Sequence, residues 1–388
     1  MYKKFKILYL LLLIIPTAVF AQSKEVIYKD GPYIFCTRGG SVRIVSSDGF
    51  SSHKSKAVHK KLLDTVYANI AALGTINVAD DKGIWNFKIS NSALINGSAV
   101  GNVKANEGIK KSLMQGEKIF VISDAHGNFK NFIAILKKGG VINEKLEWSY
   151  GKNRLMILGD TFDRGNDVVT IFWLIYNLEQ QASAIGGEVS YLLGNHDNMV
   201  LKGDLRYVKS KYEKLQDTLK IPYNQFFSST SFLGKWLRGK NSIEIIGNTL
   251  FVHGGISPAF AKSGISIGEA NMLIKKHLDS PKSVYENVEG SSTLGKVNFL
   301  FGINGPLWYR GLVSGDKKYN PISEAELDNI LKQYKISRIV VGHTTCSGVK
   351  TRYNGKVISV DSENEKQNID HLAEGIEISD NKVKIIKN

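Results

Sequence analysis

From Lys118 onward, five apolar segments of the chain each end in glycine beside a carboxylate, amide or imidazole side chain. In chain order these motifs are Asp124-Ala125-His126-Gly127, Gly159-Asp160-Thr161-Phe162-Asp163-Arg164-Gly165, Gly194-Asn195-His196-Asp197, His253-Gly254-Gly255 and Gly342-His343-Thr344. The first three segments alternate with helical patterns over 129–138 and 168–184, which predicts βαβ units and a mainly parallel α/β sheet. Because ligands of open α/β sheets bind beyond the carboxyl ends of strands, we expect the motifs to converge on one site.

The side chains in these motifs favour a centre for metal ions. Four of the eight histidines of the chain, His126, His196, His253 and His343, lie in them. One histidine at a strand end is more often structural, but four beside glycine or a carboxylate predict joint ligation. Carboxylate, amide and imidazole donors suit Mn, Fe, Zn or Co. With six donors, one of them able to bridge, we expect two ions about 3.5–4 Å apart, which would bind a phosphoryl group and activate water.

In their order and spacing, the five motifs resemble the phosphoprotein-phosphatase branch of the calcineurin-like metallophosphoesterases. The stretch Leu307-Trp308-Tyr309-Arg310 and the run from Asn195 through Arg206 are similar to the bacterial Shewanella-like phosphatases of that branch. The resemblance covers roughly residues 116–362. It implies a two-sheet α/β sandwich with helical insertions, and hydrolysis of a phosphate monoester by attack of metal-bound hydroxide without a covalent phosphoenzyme.

The resemblance also implies a set of metal ligands. Asp124 and His126 would bind one ion, and Asp160 would bridge it to the second. The second ion would be completed by Asn195, His253 and His343. Manganese is the expected metal, with Fe, Zn or Co as alternatives.

Four further residues are implied to act on the substrate. Arg164 would hold the phosphate in a bidentate fork, which lysine cannot form. His196 would protonate the leaving oxygen, and Asp163 would orient His196 and favour its charged form. Arg310 is a candidate second phosphate contact. The plain alternatives are a helix N-cap for Asp163 and a surface arginine for Arg310.

Two positions depart from the family pattern. Ser123 stands where glycine is usual, and Asp197 stands where glutamate is more common. The carboxylate of Asp197 reaches one methylene less far, which leaves its supporting contact open.

The substrate is the least constrained part of the sequence-based interpretation. The resemblance favours a phosphoprotein carrying phosphoserine, phosphothreonine or phosphotyrosine. A small phosphomonoester or a dinucleoside polyphosphate is the alternative within the same enzyme class. An envelope binding protein on a disabled phosphatase fold is disfavoured, because no ligand position is missing.

The chain divides into three predicted parts. Residues 1–21 have three lysines, an apolar run and small residues before Gln22, which predicts a cleaved secretory signal rather than a membrane anchor. We therefore expect an exported protein, periplasmic or secreted, with no stable membrane anchor after cleavage. Residues 22–115 form an accessory region without a chemical signature. Residues 116–388 form the catalytic domain, with helical insertions at about 204–240 and 266–335.

The formal charge of +15 and the two cysteines narrow the partners and the chemistry. Basic residues cluster over 202–240, which indicates either a solvated helix face or a field that attracts anionic phosphoesters. Aromatic residues there are irregularly spaced, so a nucleic-acid partner is not expected. A cysteine-nucleophile phosphatase, which needs a Cys-x5-Arg phosphate loop, is disfavoured: Arg43 stands seven positions after Cys36, and although Arg352 stands six positions after Cys346, the residues between them include the strand-like pair Lys350-Thr351. Cys36 and Cys346 either pair after export or stay as two thiols, and the oligomeric state is left open.

Overall fold

The computed structural model describes residues 30–31, 33–36, 110–362 and 373–388, and the backbone of four further strands. In the N-terminal region, β1 (Tyr33–Cys36), β2 (Ser41–Val45) and β3 (Ser55–Lys56) form a small antiparallel sheet, and β4 (Ile76–Asp80) pairs with β5 (Gly83–Phe87). The predicted signal, residues 1–21, lies outside the described residues. Among those described, none of the helices combines the length and apolar character needed to cross a bilayer.

Two mixed sheets make up the body of the protein. The five-stranded sheet has the order β16-β15-β7-β8-β9, with β7 Ile119–Ile122, β8 Arg154–Ile157, β9 Glu188–Tyr191, β15 Glu374–Ser379 and β16 Lys382–Lys387. The six-stranded sheet has the order β13-β14-β12-β11-β10-β6, with β6 Lys110–Lys111, β10 Ile243–Ile246, β11 Thr249–Val252, β12 Arg338–Val341, β13 Lys350–Arg352 and β14 Val357–Ser359. The two-sheet architecture expected from the sequence is therefore confirmed.

The central strands of both sheets are buried on both faces. All four residues of β7, β10 and β11 are buried, as expected of central strands covered on both sides. One apolar cluster joins the two sheets and contains Val121 and Met156 of the first sheet and Phe251, Val340 and Ile358 of the second. This layer fixes the sheets face to face.

Helices cover the outer faces of the sheets and form the two insertions. They are α1 Phe129–Lys138, α2 Val168–Ala184, α3 Asn195–Leu201, α4 Ser210–Leu219, α5 Phe232–Arg238, α6 Pro258–Lys262, α7 Ile267–Lys276, α8 Thr293–Leu300 and α9 Glu324–Tyr334. Short 3-10 helices lie at Tyr223–Phe227, Lys282–Val284, Lys317–Tyr319 and Tyr353–Gly355. Five helices begin after a serine whose hydroxyl accepts the backbone N–H three residues on: Ser231, Ser257, Ser266, Ser292 and Ser323. Such caps satisfy one of the donors that a helix start leaves unpaired.

The topology places every predicted motif at one edge. Strands β7, β8 and β9 run parallel to one another, as do β11, β12 and β14. The motifs follow the carboxyl ends of β7, β8, β9, β11 and β12. The predicted boundary at residue 115 stays a prediction, although Lys110–Lys111 pair with β10 of the catalytic sheet. Cys346 is a free thiol, and the side chain of Cys36 lies outside the described residues.

Candidate active site

The strand-end loops bring the six predicted metal ligands into one buried cluster. Each is at most 4% exposed: Asp124, His126, Asp160, Asn195, His253 and His343. Two groups of side chains could each hold an ion, namely His126 with Asp160 and His196, and Asp160 with His253 and His343. Within each group the ligand atoms lie within 4.8 Å of one another. Asp160 belongs to both groups, which is the position that a bridging carboxylate requires.

One group is arranged around His253. Its Nε2 atom lies 3.1 Å from Oδ2 of Asp160 and 2.8 Å from Oδ1 of Asn195. Its Nδ1 atom lies 2.5 Å from the carbonyl oxygen of Leu158. A backbone contact of this kind fixes the orientation of a ligating imidazole. His343 is held in the same way, because its Nε2 atom lies 3.1 Å from the carbonyl of Trp308.

The second group is arranged around His126. Its Nδ1 atom lies 2.7 Å from the carbonyl of Phe162, while Nε2 lies 3.8 Å from Oδ1 of Asp124 and 3.9 Å from Oδ2 of Asp160. Oδ2 of Asp124 accepts the backbone N–H of His343 at 3.0 Å and the hydroxyl of Ser123. The imidazole and the two carboxylates therefore lie near one another, at separations beyond hydrogen-bond range.

The buried carboxylates of this pocket suit a cation. Burial raises the pKa of Asp124 to about 6, and the nearby Asp160 adds to that rise. Burial alone would also raise the pKa of Asp160, but His253 and His196 hold it well below its usual range. Burial would lower the pKa of His253, but Asp160 and Asp124 raise it to about 9. A proton on His253 and a metal ion are alternatives here, because a ligating imidazole must be neutral. The residues present therefore fit a divalent metal pair.

The backbone of the site is held in an uncommon conformation. Residues other than glycine seldom adopt positive φ angles, and such residues cluster at functional sites. Six site residues do so here: Asp124 at 52°, His126 at 41°, Asp160 at 54°, Asp163 at 70°, Arg164 at 62° and His343 at 64°. Close approach also explains Gly194, since a Cβ atom there would lie 2.1 Å from Oδ1 of Asp160. The sharp turns after the strands therefore aim these side chains inward.

His196 lies beside the metal cluster with a carboxylate behind it. Its Nδ1 atom is 2.5 Å from Oδ2 of Asp163, and its Nε2 atom is 3.3 Å from Nη2 of Arg164. Its backbone N–H donates to Oδ1 of Asp160 at 2.9 Å. Asp163 does not serve as the cap considered as its alternative, because α2 begins at Val168 and Asp167 is at the cap position. An imidazole oriented by a carboxylate at one nitrogen is typical of a general acid at the other.

Arg310 lies at the edge of the site rather than alone on the surface. Its Nη1 atom donates to the carbonyl oxygen of His343 at 2.5 Å, and its guanidinium carbon lies 5.8 Å from the ring centre of Tyr319. Arg310 thus supports the loop that carries His343. Its contact with a substrate phosphate stays a prediction.

Tyr191 is a site-supporting residue that the sequence analysis did not identify. Its hydroxyl lies 2.9 and 2.8 Å from the two carboxylate oxygens of Asp197. Oδ2 of Asp197 also accepts the backbone N–H of Gly194 at 2.8 Å and that of Asp160 at 3.2 Å. Asp197 is fully buried, so the shorter carboxylate does make a supporting contact. An aromatic residue at the end of an apolar strand is typical of a core position, which is why the sequence carries no signal for Tyr191.

Replacing Tyr191 with phenylalanine should weaken Mn²⁺ binding about 10-fold, the lower end of the range seen when a direct partner of a metal ligand is lost. The hydroxyl fixes Asp197, and Asp197 fixes the backbone of Asp160. Calorimetric titration of the metal-stripped protein with Mn²⁺ measures the effect. Tyr176→Phe, which removes the hydroxyl of a buried tyrosine in α2, is the matched control. Unchanged affinity in the Tyr191→Phe variant would contradict this role.

Together, the two sheets and the convergent carboxylate, amide and imidazole site define a metallophosphoesterase. The chain belongs to the calcineurin-like phosphoesterase family, whose model matches residues 117–347. It is a metal-dependent hydrolase of phosphate esters, as the motif resemblance predicted, and the family implies divalent metal ions.

Individual proteins resemble the chain over more than half of its length. An uncharacterised protein of Schizosaccharomyces pombe is 30% identical over 63% of this chain and 72% of its own. Shewanella-like protein phosphatase 1 of Plasmodium berghei is 27% identical over 58% of this chain and 61% of its own. The crystal structure of a cold-active protein-tyrosine phosphatase from a psychrophilic Shewanella species matches with a TM-score of 0.73 and 29% identity, covering 92% of this chain and 96% of that one.

Proposed function

We propose that this protein is a phosphoprotein phosphatase that works with two divalent metal ions, and that these ions are Mn²⁺. The observation that carries the proposal is the pair of buried ligand groups sharing Asp160, beside the His196–Asp163 contact. The names of the Plasmodium berghei relative and the Shewanella structure support a phosphorylated protein as the substrate.

The residues have separate tasks in this reaction. When bound, the metal pair would polarise the phosphoryl group and activate a water molecule. Asp124, His126 and Asp160 would hold one ion, and Asp160, Asn195, His253 and His343 the other. Arg164 would bind two phosphate oxygens through its guanidinium fork. As a water oxygen bonds to phosphorus and the bond to the leaving oxygen breaks, Nε2 of His196 would donate the proton that the leaving oxygen takes. The products are a free hydroxyl and inorganic phosphate, and a proton lost by the water would restore His196.

An exposed aromatic ring supports phosphotyrosine among the phosphoamino acids. Tyr207 is 48% exposed, and its ring centre lies 5.2 Å from that of His196. Its carbonyl oxygen accepts the backbone N–H of Arg164 at 2.9 Å. A second aromatic ring stacks favourably at centre distances of about 4.5–7 Å. Tyr207 is therefore placed to contact an aryl group whose oxygen is protonated by His196.

Export to the periplasm or the medium is part of the same proposal. It rests on the basic and apolar pattern of residues 1–21 alone.

A substrate profile tests the proposal directly. After treatment with a chelator, addition of Mn²⁺ should restore hydrolysis of p-nitrophenyl phosphate. A phosphotyrosine peptide should then be cleaved with a kcat/KM at least about 10-fold higher than diadenosine tetraphosphate, a difference of about 1.4 kcal/mol in transition-state binding. The same peptide with phosphoserine measures the contribution of the aryl group. Metal-dependent cleavage of the dinucleotide without cleavage of peptides would make the protein a small-molecule hydrolase instead.

A further inference from the structure

A short piece of the N-terminal region, of which residues 30–31 and 33–35 are described, packs against the first helical insertion. Tyr33 and Ile34 are 1% and 2% exposed. The ring of Tyr33 stacks on Phe226 with a centre distance of 4.3 Å, and Phe35 forms an isolated β-bridge with Ser231. This segment, which we call the N-terminal strap, is therefore buried against the catalytic domain.

The strap contributes one half of a buried ion pair. Oδ1 of Asp30 lies 3.2 Å from Nζ of Lys211 in α4, and these side chains are 1% and 5% exposed. The hydroxyl of Tyr33 donates to the other carboxylate oxygen of Asp30. Taking two charges out of water is costly, and a buried pair is stable only while both partners and their hydrogen bonds are present. Lys211 is thus not part of a solvated basic face.

The lysine of this ion pair also contacts the loop that follows Arg164. Nζ of Lys211 also donates to the carbonyl oxygen of Asn166 at 2.5 Å. The hydroxyl of Tyr212 donates to the same oxygen at 2.8 Å and accepts the backbone N–H of Val168 at 3.0 Å. Asn166 is two residues beyond Arg164, so the strap and α4 together hold the end of this loop.

The loop needs such support because its backbone is strained. Asp163 and Arg164 have positive φ angles of 70° and 62°, which persist only when surrounding contacts enforce them. On the other side, the backbone N–H of Arg164 donates to Tyr207, and that of Asp167 donates to Gly127 at 3.0 Å. Asn166 is the point at which the loop depends on Lys211.

We propose that Lys211, held by Asp30 of the N-terminal strap, is a positioning residue for Arg164. The inference rests on the proposed function in one respect, namely that Arg164 binds the phosphate of the substrate. Lysine suits this position because its ammonium group has several donors, of which Asp30 takes one and the Asn166 carbonyl another. The strap thereby links the accessory region to substrate binding.

Lys211→Met tests the proposal in the full-length, Mn²⁺-loaded protein. Because a displaced Arg164 would bind the phosphate of the substrate less tightly, kcat/KM for p-nitrophenyl phosphate should fall about 10- to 100-fold, mainly through a higher KM. The inhibition constant of inorganic phosphate should rise in parallel, and the affinity for Mn²⁺ should stay as in the wild type. Lys211→Arg, which keeps the donors, should recover part of the loss. Lys209→Met, an exposed lysine two residues away, is the matched control and should behave as the wild type.

A second variant, at the other residue of the ion pair, tests the proposal if Lys211→Met does not fold. Asp30→Asn keeps the shape of the side chain and should change KM and phosphate inhibition in the same direction. The double variant should lose no more than Lys211→Met alone, since the two residues act as one unit. A lower melting temperature with unchanged KM and phosphate inhibition in both single variants would overturn the proposal. Absence of metal-dependent turnover in the wild type would instead contradict the proposed function, while calorimetric binding of phosphate still tests Lys211.

Discussion

Replacing His196 with alanine should lower turnover of a phosphoserine peptide by about 10²- to 10⁴-fold, the usual contribution of a general acid. The alkoxide that leaves phosphoserine is strongly basic and needs a proton, which Nε2 of His196 is placed to give while Asp163 holds Nδ1 at 2.5 Å. The nitrophenolate of p-nitrophenyl phosphate is weakly basic, so the loss on that ester should be much smaller. Steady-state kinetics on both substrates measure the difference.

Asp163→Asn is the companion variant, because it removes the charge behind His196 and keeps the shape. It should show the same dependence on the leaving group. Metal content must be measured with it, since His196 also lies within 4.8 Å of the ligand atoms of His126 and Asp160. Near-full activity of His196→Ala on the phosphoserine peptide would contradict the role of acid. Loss of a metal ion in that variant would make His196 a ligand.

Replacing Asp160 with asparagine should abolish tight binding of both metal ions. Asp160 is common to the two groups of ligands, so neutralising it weakens both sites at once. We expect Mn²⁺ affinity to fall by more than about 100-fold, which is the upper end of the loss caused by removing a mere partner of a ligand. Hydrolysis should fall with it. Metal analysis after dialysis and calorimetric titration measure the change.

The fold should survive this substitution. Asparagine has the shape of aspartate and still offers an oxygen to the backbone N–H of His196, now 2.9 Å from Oδ1. Asp204→Asn is the matched control, because Asp204 pairs with Arg206 on the loop after α3 and belongs to neither group. Retention of one ion at wild-type affinity in Asp160→Asn would contradict the bridging role.

The parts of the site that could be predicted from the sequence are the motifs in which the functional residues directly follow a strand. Apolar strands that end in glycine and a donor side chain need only a parallel sheet to converge, and the parallel pairing of β7, β8 and β9 provides it. The contacts that support the site are not local. Lys211 and Asp30 are 181 residues apart in sequence. Tyr191 has the sequence pattern of any aromatic core residue, and only the structure shows that its hydroxyl contacts Asp197.

The basic cluster over 202–240 also has contacts that could not be predicted from the local sequence. The density of basic residues in this stretch predicts a solvated helix face or a field that attracts anionic phosphoesters. In the structure, Arg238 pairs with Asp279, Lys240 pairs with Glu179, and Nζ of Lys202 lies 3.5 Å from the ring centre of Phe301. These partners come from distant elements, so local charge density overstates the field available to attract a substrate.

Anomalous diffraction from crystals of the Mn²⁺-loaded protein tests the central claim most directly. We expect two manganese peaks about 3.5–4 Å apart, one on each side of the Asp160 carboxylate. The same crystals of Asp160→Asn should lack both peaks. A single peak in the wild type, or two peaks without Asp160 between them, would contradict the two-metal site.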